Sequence, residues 1–202
     1  MIKIHNFARG LRGVRIFWVC EEMGLPYQVG TVTFPPSAEY LALHPLGSVP
    51  FLEDDRGVAI NESVAMMLYL AQKYGPTPLL PANGDPDLAR VLQLTVFGEA
   101  TLGAGINTLM AAHFGAPEAD KGNWSVRGLE SRTEKAIGHV ADLLGENQFL
   151  AGHDLTLADI SISTALGIWK GALGKSIPER LVAYRERLSA RPAYQRALKK
   201  QG

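Results

Sequence analysis

The side chains best placed for chemistry lie at a strand that begins with proline and at the start of a helix. Val49 and Pro50 head a short apolar strand that the sequence predicts through Leu52. Because proline has no N–H to donate, it leaves the backbone of Val49 free to pair with a group outside the sheet. Glu62 and Ser63 directly precede residues with the apolar spacing of a helix, and Ser63 occupies the predicted N-cap.

A helix start offers free backbone N–H groups and the positive end of the helix dipole to an anion. A strand edge beside such an anion site suits a small peptide that carries a free carboxylate. Taken alone, Ser63 is also explained as an ordinary helix cap, and Glu62 as a solvated acid in a turn. The combination of Val49, Pro50, Glu62 and Ser63 at this spacing predicts a binding site for such a peptide.

The first 75 residues alternate strand and helix signals. The predicted order is β-α-β-α-β-β-α, with strands at 2–6, 27–33, 49–52 and 58–60, and helices at 14–23, 37–44 and 63–74. A strand–helix–strand start implies parallel strands joined by a right-handed crossover. The last two strands form a hairpin around Asp54 to Gly57. This order is that of a thioredoxin-like domain, predicted at residues 1–76.

A different pattern follows a linker predicted at residues 77–86, in a stretch where Pro76 to Pro86 includes four prolines. Residues 87–202 carry helical patterns and no convincing strand, so we predict an all-α helical-bundle domain. Its predicted helices cover 87–114, 123–144, a segment that begins at Thr156, 178–188 and 192–199. Thr156 and Asp159 form a predicted capping box at a helix start, which is a folding device rather than a catalytic pair.

Composition excludes several function classes. Twenty basic and twenty acidic residues give no net charge, so nothing directs the protein to nucleic acid or to an anionic membrane. The basic cluster from Arg180 to Lys200 is interpreted as a solvated helical face. The single cysteine, Cys20, excludes an internal disulfide, fits a reducing compartment and is predicted to be a buried structural thiol. Without a signal-peptide pattern or an apolar run of about 18 residues, we expect a cytoplasmic protein.

The segment GSVPFLEDDRGVAINESVAMMLYLAQKYG at residues 47–75 resembles the glutathione-binding half of the cytosolic glutathione transferases, in a bacterial-type form. The segments FLAGHDLTLADIS and RPAYQRAL resemble the helical half of the same family. The resemblance implies a cis peptide before Pro50 and pairing of the Val49 backbone with the cysteinyl unit of glutathione. It also implies that Glu62 and Ser63 hold the γ-glutamyl ammonium and carboxylate, and that the protein is a homodimer.

Such an enzyme lowers the pKa of the glutathione thiol, because only the thiolate is a good nucleophile. In the family the donor to sulfur follows the first strand and is a tyrosine, serine or cysteine. Here residues 5–17 read HNFARGLRGVRIF and include none of these. The remaining candidates are Arg9, Arg12, Asn6 and the backbone N–H groups of the glycine-rich loop, although each arginine is also explained as a surface residue. Arg15 matches a family arginine whose role is more often structural.

The electrophile pocket is predicted from the resemblance alone. Its apolar candidates are Phe7, Leu11, Leu102, Ile106 and Met110, and a core stripe also explains the spacing of the last three. We therefore expect a glutathione transferase that attacks a small hydrophobic electrophile, with glutathione as co-substrate and no metal. The alternatives are a non-catalytic glutathione-binding module and a glutathione-dependent peroxidase or dehalogenase. A thiol–disulfide oxidoreductase is disfavoured because the loop lacks cysteine.

Overall fold

The computed structural model describes residues 1–201, which divide into two compact units. The first unit contains Met1–Leu80 together with the C-terminal segment that begins at Ser189. The second unit is Pro81–Leu188. The predicted domain limits at residues 76 and 87 lie close to the boundary between these units, while the last helix packs with the first unit.

The first unit is built on a four-stranded mixed sheet. In chain order its elements are β1 (Ile2–Phe7), α1 (Gly13–Met23), β2 (Tyr27–Val32), α2 (Ala38–Leu43), β3 (Phe51–Glu53), β4 (Ala59–Ile60) and α3 (Ser63–Tyr74). The strand order is β2-β1-β3-β4, with β1 and β2 parallel and the other two pairs antiparallel. The predicted β-α-β-α-β-β-α order and thioredoxin-like fold are confirmed.

Helix α1 carries the core of this unit. Its first eight residues, from Gly13 to Cys20, are all buried, and it ends at Gly24 in the left-handed conformation that glycine adopts without strain. The Cys20 thiol is fully buried, and loss of hydration raises its pKa to about 12. A thiol with that pKa stays protonated at neutral pH, so the prediction of a structural cysteine is confirmed.

The regular secondary structure of the second unit is helical, and no strand occurs among its residues 81–188. It contains α4 (Leu88–Phe97), a π-helical segment (Gly98–Gly103), α5 (Ala104–Gly115), a short 3₁₀ turn (Glu118–Asp120), α6 (Trp124–Leu144), α7 (Leu157–Leu173) and α8 (Glu179–Ser189). The predicted long helix at 87–114 is therefore continuous but includes a wider turn. A Cβ atom on Gly98 would lie 2.4 Å from the Ser161 hydroxyl, so glycine permits the close approach of α7.

The predicted capping box lies at the start of α7, where Asp159 is fully buried. Its carboxylate accepts hydrogen bonds from the Thr156 N–H at 2.9 Å, the Thr156 hydroxyl at 3.0 Å, the Leu150 N–H at 2.9 Å and the Tyr184 hydroxyl at 2.7 Å. Burial raises the pKa of Asp159, and these donors oppose that rise. The network joins the 150s loop and α8 to α7, in keeping with a folding role.

The last helix, α9 (Pro192–Lys199), packs against α1 within the first unit. The Tyr194 ring meets Trp18 edge to face at a centroid distance of 4.7 Å. Arg191 donates to both carboxylate oxygens of Glu22, at 2.7 and 2.9 Å, and Arg196 donates to Glu21 at 2.6 Å. Both arginines therefore pair with acids of α1. Arg191 is only half-exposed, whereas Arg196 keeps 53% of its side chain exposed, as its interpretation as part of a solvated face expects.

Within residues 1–201, none of the helices is both long enough and apolar enough to cross a bilayer.

Candidate functional site

The Val49–Pro50 segment lies immediately before β3 rather than inside it. The peptide bond between these residues is cis, and Pro50 is buried. The predicted strand begins two residues later than expected, at Phe51, and the pairs of β3 with β1 and β4 do not include Val49. The half-buried Val49 side chain packs on a small core of Val32, Tyr40 and Phe51, which holds its backbone at the end of the sheet.

Glu62, not Ser63, occupies the N-cap of α3. Ser63 is the first residue of that helix, so the predicted N-cap is corrected by one position. Glu62 is exposed and has φ 67°, a conformation that costs a non-glycine residue about 1–3 kcal/mol. Such strain clusters at ligand sites, where the surrounding structure holds the residue in place. The Glu62 carbonyl still accepts the first helical hydrogen bond, from Met66 at 3.0 Å.

The Ser63 hydroxyl binds a side chain of α1. The hydroxyl is buried and accepts a hydrogen bond of 3.0 Å from Nη1 of Arg15, a residue of α1 that is 1% exposed. A hydroxyl that accepts from a guanidinium keeps its own proton to donate to a carboxylate. Arg15, Ser63 and the N-terminus of α3 together form a positive site suited to a carboxylate.

The sequence-based prediction did not give Arg15 a place in the site. A signal was nevertheless present, because Arg15 stands among the apolar residues Val14, Ile16 and Phe17, and arginine is rarely buried without a specific partner.

Asn6 shapes the loop between β1 and α1 from the inside. Its side chain is 2% exposed and donates to the Gly10 carbonyl at 3.0 Å. A Cβ atom would lie 2.6 Å from the Asn6 side chain at Gly10 and 2.4 Å from it at Gly13. Both positions need glycine because the Asn6 amide fills that space. The Asn6 Oδ1 atom is buried without a hydrogen-bond partner among the described residues.

The two candidate arginines sit in different parts of the same loop. Arg9 is exposed and has φ 58°, and its backbone N–H donates to the Gln201 carbonyl at 3.0 Å. Arg12 is half-buried and occupies the N-cap of α1. Arg9 therefore lies in the turn itself, whereas Arg12 lies where backbone N–H groups of α1 are available to an anion.

The hydroxyls of three tyrosines in the first unit are already engaged. Their acceptors are Glu21 for Tyr27, the Ser48 carbonyl for Tyr40, and Asp54 for Tyr69. Burial raises the pKa of Tyr40 to about 12, and burial with the Glu21 contact raises that of Tyr27 further. These hydroxyls are poor candidates for activating a thiol.

The predicted apolar pocket residues differ in exposure. In the first unit, Phe7 is half-buried with its ring edge-on to Phe34 at 5.6 Å, and Leu11 is exposed. In the second unit, Leu102 and Ile106 are fully buried and Met110 is half-buried. Full burial assigns Leu102 and Ile106 to the helical core, which was the alternative explanation of their spacing.

In the part of the chain that the structure describes, no three His, Cys, Asp or Glu side chains come together in a way that would hold a metal ion.

Comparison with known proteins points to one family. The sequence model for the N-terminal domain of glutathione S-transferase matches residues 13–73, a range that begins after the loop from Ala8 to Arg12. Glutathione S-transferase 1 of Schizosaccharomyces pombe is 26% identical over 93% of this chain and 91% of that protein. Elongation factor 1-gamma of Prunus avium is 32% identical over 72% of this chain but only 33% of its own length.

Among solved structures, a glutathione transferase from Pseudomonas putida with one bound glutathione disulfide per subunit superposes with a TM-score of 0.86. It is 22% identical, and the alignment covers 100% of this chain and 92% of that one. This likeness confirms the thioredoxin-like and helical architecture. Together with the match over residues 13–73, this likeness shows that the chain has the architecture of the glutathione S-transferases, with the family's N-terminal domain recognisable in its sequence.

Proposed function

We propose that this protein is a glutathione transferase that binds glutathione at Val49, Glu62 and Ser63 and uses its thiolate to attack a small hydrophobic electrophile. The hydrogen bond from Arg15 to Ser63 at the N-terminus of α3 is the observation that carries the proposal. Through this bond a serine hydroxyl, a guanidinium and the positive end of a helix dipole lie together, where all three would favour one bound carboxylate.

The γ-glutamyl end of glutathione carries one carboxylate and one ammonium group, which match the positive helix start and the Glu62 carboxylate. Its carboxylate would accept hydrogen bonds from the Ser63 hydroxyl and the first N–H groups of α3, and its ammonium would pair with the exposed Glu62 carboxylate. The Val49 backbone, held at the end of the sheet by its packed side chain, would pair with the cysteinyl unit. The glutathione disulfide bound by the Pseudomonas putida relative supports this ligand class.

Activation of the thiol is proposed to come from the loop between β1 and α1. Lowering the thiol pKa by about two units needs about 2.7 kcal/mol of preferential thiolate stabilisation. Because the Asn6 side chain is 2% exposed and donates to the Gly10 carbonyl, its proposed contribution is to shape the loop. Arg9, Arg12 and the backbone N–H groups at the start of α1 are then the groups that stabilise negative charge on sulfur.

The electrophile class follows from the apolar residues that are not fully buried. Phe7 and Leu11 in the first unit are the proposed contacts. Conjugation of this kind serves detoxification, and we propose a cytoplasmic homodimer. Light scattering at micromolar concentration should give a mass near twice the 21.9 kDa of the chain, and a monomeric mass would refute the dimer.

A second candidate is a glutathione-binding module without catalysis. It is favoured by Ala8 and Gly10, whose side chains cannot donate to sulfur at the positions where the family has a donor. The similarity to part of elongation factor 1-gamma shows that related sequences occur in proteins that are not named as transferases. A peroxidase or dehalogenase activity would use the same thiolate with a different electrophile.

Two measurements separate these possibilities. Titration calorimetry with glutathione tests binding, and turnover of an activated aryl halide, an alkyl halide and an organic peroxide tests catalysis. The transferase proposal predicts binding together with conjugation of the aryl halide. Binding without turnover of any of the three would establish the module, and no binding would refute both candidates.

A further inference from the structure

Gln201 binds the loop between β1 and α1 through two hydrogen bonds. Its backbone carbonyl accepts the Arg9 N–H at 3.0 Å, and its side-chain Nε2 donates to the Gly10 carbonyl at 3.1 Å. Gly10 and Gln201 are 191 positions apart along the chain, and Arg9, Gly10 and Gln201 all belong to the first compact unit.

The Gly10 carbonyl is held from two sides. The Asn6 amide donates to it at 3.0 Å, and the Gln201 amide donates to it at 3.1 Å. The Gly10 N–H in turn donates to the Phe7 carbonyl at 2.9 Å, which closes the turn. Arg9 lies within this turn at φ 58°, a conformation that needs support from its surroundings in a non-glycine residue.

The segment that presents Gln201 is itself firmly attached. Helix α9 packs on α1 through the ring contact of Tyr194 with Trp18, and Arg191 binds Glu22 through two charge-assisted hydrogen bonds. After α9 ends, the Lys200 and Gln201 N–H groups donate three residues back, to the carbonyls of Ala197 and Leu198, and close turns. Gln201 therefore contacts the loop from a segment that is held in place by the packing of α9 on α1.

We propose that Gln201 is a positioning residue, which holds the Ala8–Gly13 loop in the conformation that activates the bound thiol. This role rests on the proposed function of that loop. Gln201 does not touch the sulfur in this scheme; it fixes the peptide planes of Arg9 and Gly10, and hence the directions of the N–H groups and of the Arg9 side chain. A loop that lost this support would spread over several conformations and stabilise the thiolate less well.

The test compares two glutamines of the same C-terminal segment. Gln201→Met keeps the side-chain length but removes the donor, and Gln201→Asn keeps the amide but shortens its reach. Gln195→Met is the matched control, since the Gln195 amide donates to the Ser189 carbonyl at 2.7 Å on an exposed surface. The readouts are the pKa of bound glutathione from thiolate absorbance, the glutathione Kd by calorimetry, and kcat against KM for an aryl halide.

We expect wild type and Gln195→Met to lower the thiol pKa equally below the value of about 8.5 for a free thiol. Both Gln201 variants should raise the pKa of the bound glutathione thiol by about half a unit relative to wild type. At a pH below the pKa of the bound thiol, this rise reduces the thiolate fraction, and with it kcat, about threefold. The glutathione Kd should change less than twofold, because Val49, Glu62 and Ser63 are untouched. Faster amide exchange at Arg9 and Gly10 in the ligand-free variants would confirm that the loop has been released.

The possible failures are distinguishable. If wild type lowers the thiol pKa and both Gln201 variants match it, the positioning role is overturned while the proposed function stands. If wild type itself does not lower the thiol pKa, the proposed thiolate chemistry fails and the positioning role fails with it, as the wild-type measurement alone would show.

Discussion

Arg15 on α1 and Ser63 on α3, 48 positions apart, meet through a buried hydrogen bond of 3.0 Å between guanidinium and hydroxyl. This contact places a guanidinium and a hydroxyl together at the start of α3, a combination suited to a carboxylate. Glu62 takes the N-cap position of that helix, at φ 67°.

The first prediction concerns glutathione binding at Ser63. Ser63→Ala removes a hydrogen bond to the charged ligand, worth about 1.5–3 kcal/mol, so glutathione affinity should fall about ten- to a hundredfold. Calorimetry measures this directly. Ser37→Ala is the matched control, because Ser37 caps α2 by accepting from the Tyr40 N–H. That change should reduce thermal stability but not affinity, and equal affinity losses in the two variants would contradict the assignment.

The second prediction concerns thiol activation by Arg9 and Arg12. A cation near sulfur stabilises the thiolate, so its removal should raise the pKa of the bound thiol. At least one of Arg9→Ala and Arg12→Ala should move the midpoint of the conjugation pH profile upward by roughly one unit, about 1.4 kcal/mol.

The double variant provides the control for redundancy between these arginines. An unchanged midpoint in the double variant would show that the loop backbone and the α1 dipole suffice. A glutathione-bound structure with both guanidinium groups far from the sulfur would also reject the arginine assignment.

The third prediction concerns acid stability through Asp54, whose carboxylate lies in the turn between β3 and β4. Burial acts to raise its pKa, but hydrogen bonds from Lys73, Tyr69 and the N–H groups of Arg56 and Val58 outweigh that effect and hold the pKa below its usual range. A carboxyl whose pKa is lowered by folding stabilises the protein above the unfolded pKa of about 3.9. That stabilisation is lost as the pH falls through the folded pKa.

Denaturant unfolding of wild type and Asp54→Asn as a function of pH tests this. The variant should be less stable at pH 7 and should lose less stability between pH 5 and pH 2. Parallel curves for the two proteins would show that Asp54 does not contribute to the pH dependence.

The fourth prediction concerns the Asp159 network. Asp159→Asn replaces an acceptor of four hydrogen bonds with a group that can satisfy fewer of the buried donors, among them the Tyr184 hydroxyl and the Leu150 N–H. We expect a loss of about 2–4 kcal/mol in the free energy of unfolding. The exposed Asp142 on α6 offers a matched control. Asp142→Asn should change the free energy of unfolding by less than about 0.5 kcal/mol.

Urea unfolding at pH 7 measures the free energy of unfolding of both variants and of wild type. Similar stability losses for Asp142→Asn and Asp159→Asn would mean that the buried network contributes nothing specific. Retained glutathione binding in a folded Asp159→Asn protein would support the assignment of Asp159 to folding and not to chemistry.

Four features could be predicted from the residues alone: the order of strands and helices, the hairpin after Pro50, the Thr156–Asp159 capping box and the burial of Cys20. These features are encoded locally, because side-chain periodicity, caps and turn residues act within a few positions of one another. The absence of a tyrosine, serine or cysteine donor between His5 and Phe17 was likewise plain from the residues alone.

The long-range side-chain pairs around the candidate site could not be predicted from the sequence. Arg15 reaches Ser63 over 48 positions, and Gln201 reaches Gly10 over 191. No periodicity specifies such pairs, since they depend on how α1, α3 and α9 pack. The burial of Leu102 and Ile106 was decided in the same way, because an apolar stripe has the same spacing whether it faces a core or a pocket.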